Sequence, residues 1–204
     1  MTKPLPGWYL TNINPRGKVP AIRAPSAGYD AVIYESAICN EFLSDYSSAT
    51  LQQSHDLMPQ NPFLRAKIRL LNDHCETAFS KTQFTFLMNK DEAKDDELCG
   101  EMENALATYE EALVESGGPY FLGEQFTLAD IHLLPFMQRL VVTLKYWKNY
   151  ELPSAKFPKL LCWLDACLSR ESVEISSMSD EKMIEVYKRF VEVDYDFGGL
   201  NKNN

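Results

Sequence analysis

The chain has 204 residues, 45% hydrophobic and 24% charged, with 20 Lys+Arg against 29 Asp+Glu for a formal net charge of −9. That composition excludes a disordered chain, a collagen-like repeat and a disulfide-stapled miniprotein, and at roughly 150 residues per domain it sets an expectation of one large domain or two small ones. The acidic balance argues against a basic nucleic-acid footprint and against a polybasic membrane patch, so neither nucleic acid nor membrane is expected as a partner.

The opening string Met1-Thr2-Lys3-Pro4-Leu5-Pro6-Gly7 has no apolar stretch of the kind a signal peptide needs. Two prolines, a glycine and Trp8 make an unusual start for a domain. Turn formers follow at Asn14-Pro15-Arg16-Gly17, Pro20 and Pro25-Ser26-Ala27-Gly28. Between them, residues 19–23 and 31–34 read as two short β-strands joined by a Gly-containing turn, which predicts a hairpin. Residues 36–46 read as a helix with Ile38, Phe42 and Tyr46 on one face. The polar stretch that follows, punctuated by Met58-Pro59-Gln60-Asn61-Pro62, reads as a linker. The predicted division is therefore 1–48, a linker at 49–61, and 62–204.

Beyond Pro62, which suits the first turn of a helix, all the periodicity is helical. Leu64, Ile68, Leu71, Cys75 and Phe79 form one apolar face, and Leu98, Met102, Leu106, Tyr109 and Leu113 form a second that stops at Gly117-Gly118-Pro119. Thr127-Leu128-Ala129-Asp130 has the form of a capping box, with Phe126 and Ile131 at the staple positions. The segment behind it is apolar nearly all round, as in a central buried helix, and Pro135 is expected to kink it. Two further helices are predicted at about 157–169 and 179–191. Charge follows the same division: residues 1–60 hold 4 basic and 5 acidic groups, and residues 61–204 hold 16 and 24.

Five cysteines, Cys39, Cys75, Cys99, Cys162 and Cys167, make an odd number without a Cys-x-x-Cys spacing, which suits free thiols in a reducing, cytoplasmic setting. Cys39 lies about one turn inside its helix, where a free thiol usually packs as a small hydrophobe. Cys75, Cys162 and Cys167 fall on or beside apolar faces, and the acidic surroundings of Cys99 disfavour a thiolate. His74 adjoins Cys75, but helical neighbours point apart and no second pair stands at ligand spacing, so no metal site is expected. His132 reads as a packing histidine, and the run from Asp91 to Glu97 as a solvated helix start. There is no Gly-rich phosphate loop and no Ser-His-Asp set.

Three strings carry a resemblance. Asn14-Pro15-Arg16-Gly17-Lys18-Val19-Pro20-Ala21-Ile22 resembles the stretch leading into the cis-proline of the glutathione S-transferases. Tyr34-Glu35-Ser36-Ala37-Ile38 is similar to their glutathione-binding Glu-Ser pair. Phe121-Leu122-Gly123-Glu124-Gln125-Phe126-Thr127-Leu128-Ala129-Asp130 is similar to the signature of their helical domain. Pro135-Phe136-Met137-Gln138-Arg139-Leu140 and the ending from Tyr187 through Asp194-Tyr195-Asp196-Phe197-Gly198 are most similar to the omega and lambda classes, the cysteine-type branch. The resemblance runs from about Trp8 to Phe197.

It implies an α+β chain: an incomplete thioredoxin-like N-terminal domain, reduced to β-hairpin plus helix, followed by an all-α C-terminal domain. It implies that Glu35 and Ser36 hold the γ-glutamyl end of glutathione and Val19 its cysteinyl backbone. Lys18 would meet the glycyl carboxylate, with Lys3 a weaker candidate. Pro20, Thr127 and Asp130 are implied as structural residues. Arg139 and Trp163 match positions that line the pocket for the second, apolar substrate, although Trp163 also suits a helix-packing position. Glutathione enters as a substrate, no metal is implied, and a homodimer is the common assembly.

The family's first domain opens with a β-α-β unit, which takes about 30 or more residues, and in cysteine-type members the catalytic thiol heads its first helix. No Cys-Pro-Phe or Cys-Pro-Tyr string occurs in this sequence, and no catalytic residue is assigned. The expectation is that Met1 is an alternative or artefactual start of a longer parent, and that the strand at 19–23 is left with an unpaired edge.

Two functional readings remain. The first is glutathione-dependent thiol transfer through mixed disulfides, with deglutathionylation or dehydroascorbate reduction as its form and a small electrophile or disulfide as second substrate. The alternative is a non-catalytic ligand-binding or protein-interaction module. A channel-like relative of the same fold is disfavoured by the lack of an insertable apolar segment.

Overall fold

The computed structural model describes residues 5–25, 28–51 and 57–192. Lys3, Ser26, Ala27 and the ending from Asp194 to Gly198 lie outside the described residues. The chain divides into two compact units, residues 1–65 and 66–204.

In the first unit, a one-and-a-half-turn helix α1 (Gly7–Asn12) precedes the hairpin. The sequence reading had no helix there, because Pro6, Gly7 and Asn12 carry turn chemistry and six residues are too few for periodicity to show. Strand β1 (Ala21–Ala24) pairs antiparallel with β2 (Tyr29–Tyr34), Ala21 opposite Tyr34 and Ile22 opposite Ile33, with an irregularity after Arg23. Among the described residues this is a two-stranded sheet. Helix α2 (Ser36–Leu51) runs five residues past the predicted end at Tyr46. Its face also differs from the one expected. Cys39 is buried and Ile38 is exposed, while Phe42 and Tyr46 stack at 5.8 Å.

The second unit is helical, with α3 (Pro62–His74) beginning just ahead of its boundary. A single π-helical turn, Cys75–Phe79, joins α3 to α4 (Ser80–Met88). Such a turn inserts an extra residue without breaking the helix, and here it leaves both Cys75 and Phe79 fully buried. A 3₁₀ turn capped by Asp91 then opens α5 (Asp95–Ser116), whose first turn holds Asp95, Asp96 and Glu97 where the helix dipole favours them. Helix α5 ends on Gly117 at φ 71°, a left-handed residue where glycine carries no steric penalty.

Helix α6 (Leu128–Lys148) is central: Leu133, Met137, Leu140 and Leu144 have at most 1% of their surface exposed. Around it stand α7 (Pro158–Leu168), α8 (Glu171–Ser176) and α9 (Asp180–Val191). The short α8 was not anticipated, since six residues between two longer apolar patterns show no period of their own. A run of aromatic contacts forms the middle of the core: Phe79 to Tyr109 at 5.9 Å, Tyr109 to Phe121 at 5.7 Å, and Phe121 to Trp163 at 5.4 Å. Each fully buried side chain of this kind contributes roughly 1.5–3 kcal/mol. No helix among the described residues is long and apolar enough to cross a membrane.

Candidate functional site

The hairpin register decides what meets in the first unit. Since Ala21 stands opposite Tyr34, the residues just before β1 and just after β2 lie at one end of the hairpin. Lys18, Val19 and Pro20 therefore come beside Glu35 and Ser36. The approach to β1 is pinned through Lys18, whose carbonyl accepts from Tyr9 Oη and from Asn14 Nδ2, each at 2.8 Å. Asn14 is fully buried, and its Oδ1 also accepts from the Arg16 amide at 2.9 Å. Gly17 turns the chain at φ 63°. Val19–Pro20 is a cis peptide bond, and Val19 is 74% exposed. Among the described residues, the amide and carbonyl of Val19 have no backbone partner.

Glu35 is held at φ 73°, a left-handed conformation that non-glycine residues seldom adopt. That geometry turns the chain from β2 into α2, and the Glu35 carbonyl accepts the first helical hydrogen bond, from the Cys39 amide at 2.8 Å. Ser36 is then the first residue of the helix, where amides lack intrahelical partners and the dipole favours an anion. The Glu35 carboxylate is engaged by Arg16 at 2.7 Å, both side chains being solvent-accessible. The sequence reading missed Arg16, Tyr9 and Asn14. An arginine 19 residues away from its partner leaves no trace in local spacing.

The second unit holds a cavity of about 720 Å³, within the range of roughly 300–1,000 Å³ usual for small-molecule sites. Ile131, Leu134 and Pro135 of α6 form one wall, and Met183 and Tyr187 of α9 another. Gln138 and Arg139 supply polarity. Arg139 is the one charged residue among those lining the cavity in the described structure.

Trp163 stands apart from Arg139. It does not line the cavity; it is fully buried, and its indole N–H donates to Asp130 Oδ1 at 2.8 Å. An indole must place its polar edge somewhere once it is buried, and the buried carboxylate at the head of α6 provides that place. The same carboxylate accepts from the Thr127 amide at 2.7 Å, Thr127 Oγ1 at 3.1 Å and the Phe121 amide at 3.2 Å. Thr127 Oγ1 accepts in turn from the Ala129 amide, completing a capping box.

The thiols are quiet. Burial raises Cys39, with Glu35 adding to the effect. Burial also pushes Cys75 up to about 12, and burial with Glu103 and Asp96 pushes Cys99 up to about 11. Cys167 is raised by burial and then by Asp130. Cys162 is exposed. Burial lowers the His132 imidazole below its ordinary value, against the pull of Glu76, whose Oε1 lies 3.2 Å from Nε2. Among the described residues no cluster of His, Cys, Asp and Glu could hold a metal ion.

The C-terminal domain model of the glutathione S-transferases matches residues 66–171. Glutathione S-transferase U19 of Arabidopsis thaliana is 30% identical over 152 residues, 72% of this chain and 66% of that protein. Glutathione S-transferase L1 of the same plant is 25% identical over 188 residues, 91% of this chain and 71% of that one. Among solved structures, glutathione transferase Omega 3C of Trametes versicolor superposes with a TM-score of 0.74 at 30% identity, covering 93% of this chain and 76% of that one. The matched helical domain takes up just over half of the sequence, and its capping box, buried aspartate and central helix are the features described above: the chain belongs to the glutathione S-transferase family.

Proposed function

We propose that the chain binds glutathione at the open end of its hairpin and serves glutathione-dependent thiol transfer of the omega or lambda kind. The observation that carries this is the register of Ala21 opposite Tyr34, which brings an unpartnered Val19 backbone beside the start of α2. An extended peptide can pair with the Val19 amide and carbonyl as an added strand. Its γ-glutamyl carboxylate then meets the Ser36 end of α2 with Glu35 taking the ammonium group, and the glycyl carboxylate meets Lys18. Arg139 belongs to the second-substrate cavity, and Trp163 to the support of Asp130.

In the exchange itself, a glutathione thiolate attacks the glutathionyl sulfur of a mixed disulfide. A new S–S bond forms, giving oxidised glutathione, and the substrate leaves as its thiolate. Cys39, Cys75, Cys99 and Cys167, all held above the ordinary thiol range, do not serve as the nucleophile in this scheme. That same observation favours a second reading, in which this chain binds glutathione without turnover. A cytoplasmic setting and a homodimer complete the proposal.

Calorimetric titration with glutathione tests the binding, using Ser36→Asp as the control. A carboxylate at a helix start suits the dipole and is expected to leave the apo protein unchanged or stabilised by about 0.3–1 kcal/mol, while repelling the ligand carboxylate. Binding by the parent chain that Ser36→Asp abolishes supports the site; equal binding by both, or none by either, refutes it. Release of a glutathionylated peptide thiol then separates the transferase from the silent binder.

A further inference from the structure

Glutathione presents its γ-glutamyl end as a zwitterion, an ammonium and a carboxylate on one carbon, and its glycyl end as a second carboxylate. The hairpin end carries a matching set of charges: Glu35 is an anion, and Lys18 and Arg16 are cations. Arg23, the basic residue of β1, is already paired with Asp30.

Arg16 is built into its position. Its amide donates to Asn14 Oδ1 at 2.9 Å, and the following amide, of Gly17, donates to the Asn14 carbonyl at 3.0 Å. The buried Asn14 therefore fixes the backbone on both sides of the arginine. The side chain then crosses to the end of β2, where its guanidinium carbon lies 5.8 Å from the centre of the Tyr34 ring and Nη1 donates to Glu35 Oε1 at 2.7 Å. A guanidinium is a rigid fork of N–H donors, and among the described residues Glu35 is the one hydrogen-bond acceptor that the Arg16 side chain meets. With 61% of that side chain exposed, the rest of the fork is open to a ligand. An exposed ion pair of this kind contributes little to stability; what it supplies is an ordered pair of opposite charges beside the start of α2.

Resting on the reading of the hairpin end as the glutathione site, we propose that Arg16 and Glu35 together read the zwitterionic head of the ligand. Glu35 takes the γ-glutamyl ammonium, and Arg16 takes the carboxylate on the same carbon, sharing its two oxygens with the Ser36 end of α2. Arg16 is then a specificity residue, selecting peptides with a complete amino-acid head over those whose head has lost its carboxylate.

Calorimetry on the full chain compares glutathione with two analogues of the same length: γ-aminobutyryl-Cys-Gly, which lacks the head carboxylate, and glutaryl-Cys-Gly, which lacks the ammonium. In the parent chain both analogues should bind more weakly than glutathione. Arg16→Gln should reduce the preference for glutathione over the aminobutyryl peptide by about threefold to tenfold, while the preference over the glutaryl peptide stays within about twofold. Arg16→Lys, which keeps the charge and loses the fork, should recover part of the first preference. The proposal is overturned if Arg16→Gln leaves the first preference unchanged, which is also what a general loosening that weakens all three peptides alike would give. It is equally overturned if the second preference falls by more than that, since Arg16 would then only support the Glu35 carboxylate. Glutathione binding with head-group preferences untouched by Arg16→Gln sinks this inference alone, whereas a parent chain that binds none of the three peptides sinks the hairpin reading with it.

Discussion

Asp130 concentrates more of the hydrogen bonding at the head of α6 than any other side chain there. It is fully buried and accepts from two backbone amides, a hydroxyl and an indole. Burial pushes its carboxyl upward, and the Trp163, Thr127 and Phe121 donors oppose that shift. Removing one donor to a buried charged group costs about 1.5–3 kcal/mol, and Trp163→Phe is expected to lower stability by that amount in urea denaturation. In a double-mutant cycle with Asp130→Ala the two losses should fall short of additive, because both variants break the same bond. The cysteines offer a second test at this scale. At mildly alkaline pH a thiol reagent should modify exposed Cys162 rapidly and Cys99 slowly. Buried Cys39, Cys75 and Cys167 should react only after denaturant is added.

Among the elements, α6 depends most on how it begins. Thr127→Ala removes the hydroxyl of the capping box and should cost about 0.5–2 kcal/mol, read as a lower urea midpoint with unchanged slope. The connection from α5 to α6 is equally demanding at Gly118, where an added Cβ would stand 2.4 Å from the Gly123 backbone. Backbone cannot yield as a flexible side chain does, so Gly118→Ala is expected to destabilise by about 1–3 kcal/mol, while Gly100→Ala, with open space around it, should be neutral or slightly stabilising. Much of this was legible beforehand. A Thr-x-x-Asp box and a Gly-Gly-Pro stop are local signals, each complete within a few residues. The lengths of α1, α2 and α8 were not legible. Pro6 and Gly7 around α1 and the serines inside α2 carry turn chemistry, which tertiary contacts overrode.

At the scale of the helical unit, three distant segments are tied by one lysine. Lys148 at the end of α6 donates to the Asn89 carbonyl at 2.7 Å and to Asp95 at 2.8 and 3.1 Å, and lies 5.5 Å from the centre of the Phe86 ring. Its side chain is 9% exposed and that of Asp95 is 28%. Partial burial raises the Asp95 carboxyl, and the hydrogen bonds from Lys148 and Asn89 outweigh it, leaving Asp95 below its ordinary value of 3.8. A carboxyl lowered in the folded state stabilises the protein above that ordinary value, and the stabilisation is lost as pH falls through the folded value. Lys148→Met should therefore destabilise by about 1–3 kcal/mol at neutral pH. Below about pH 4 the gap to the parent should narrow, as shown by parallel urea titrations across pH.

The sequence by itself determined whatever is written in short range. The helix period beyond Pro62, the Thr127–Asp130 box and the turn residues around the hairpin all report through backbone preferences and side chains a few positions apart. Only the tertiary structure decided which distant residues share a space. It set Arg16 on Glu35, Trp163 on Asp130 and Lys148 on Asp95, and placed Arg139 in the lining of a largely apolar cavity. The physical reason is range. A cap or a turn is satisfied by its own neighbours, whereas a buried donor or charge is satisfied by whichever partner packing brings within about 3 Å, and the sequence does not display that distance.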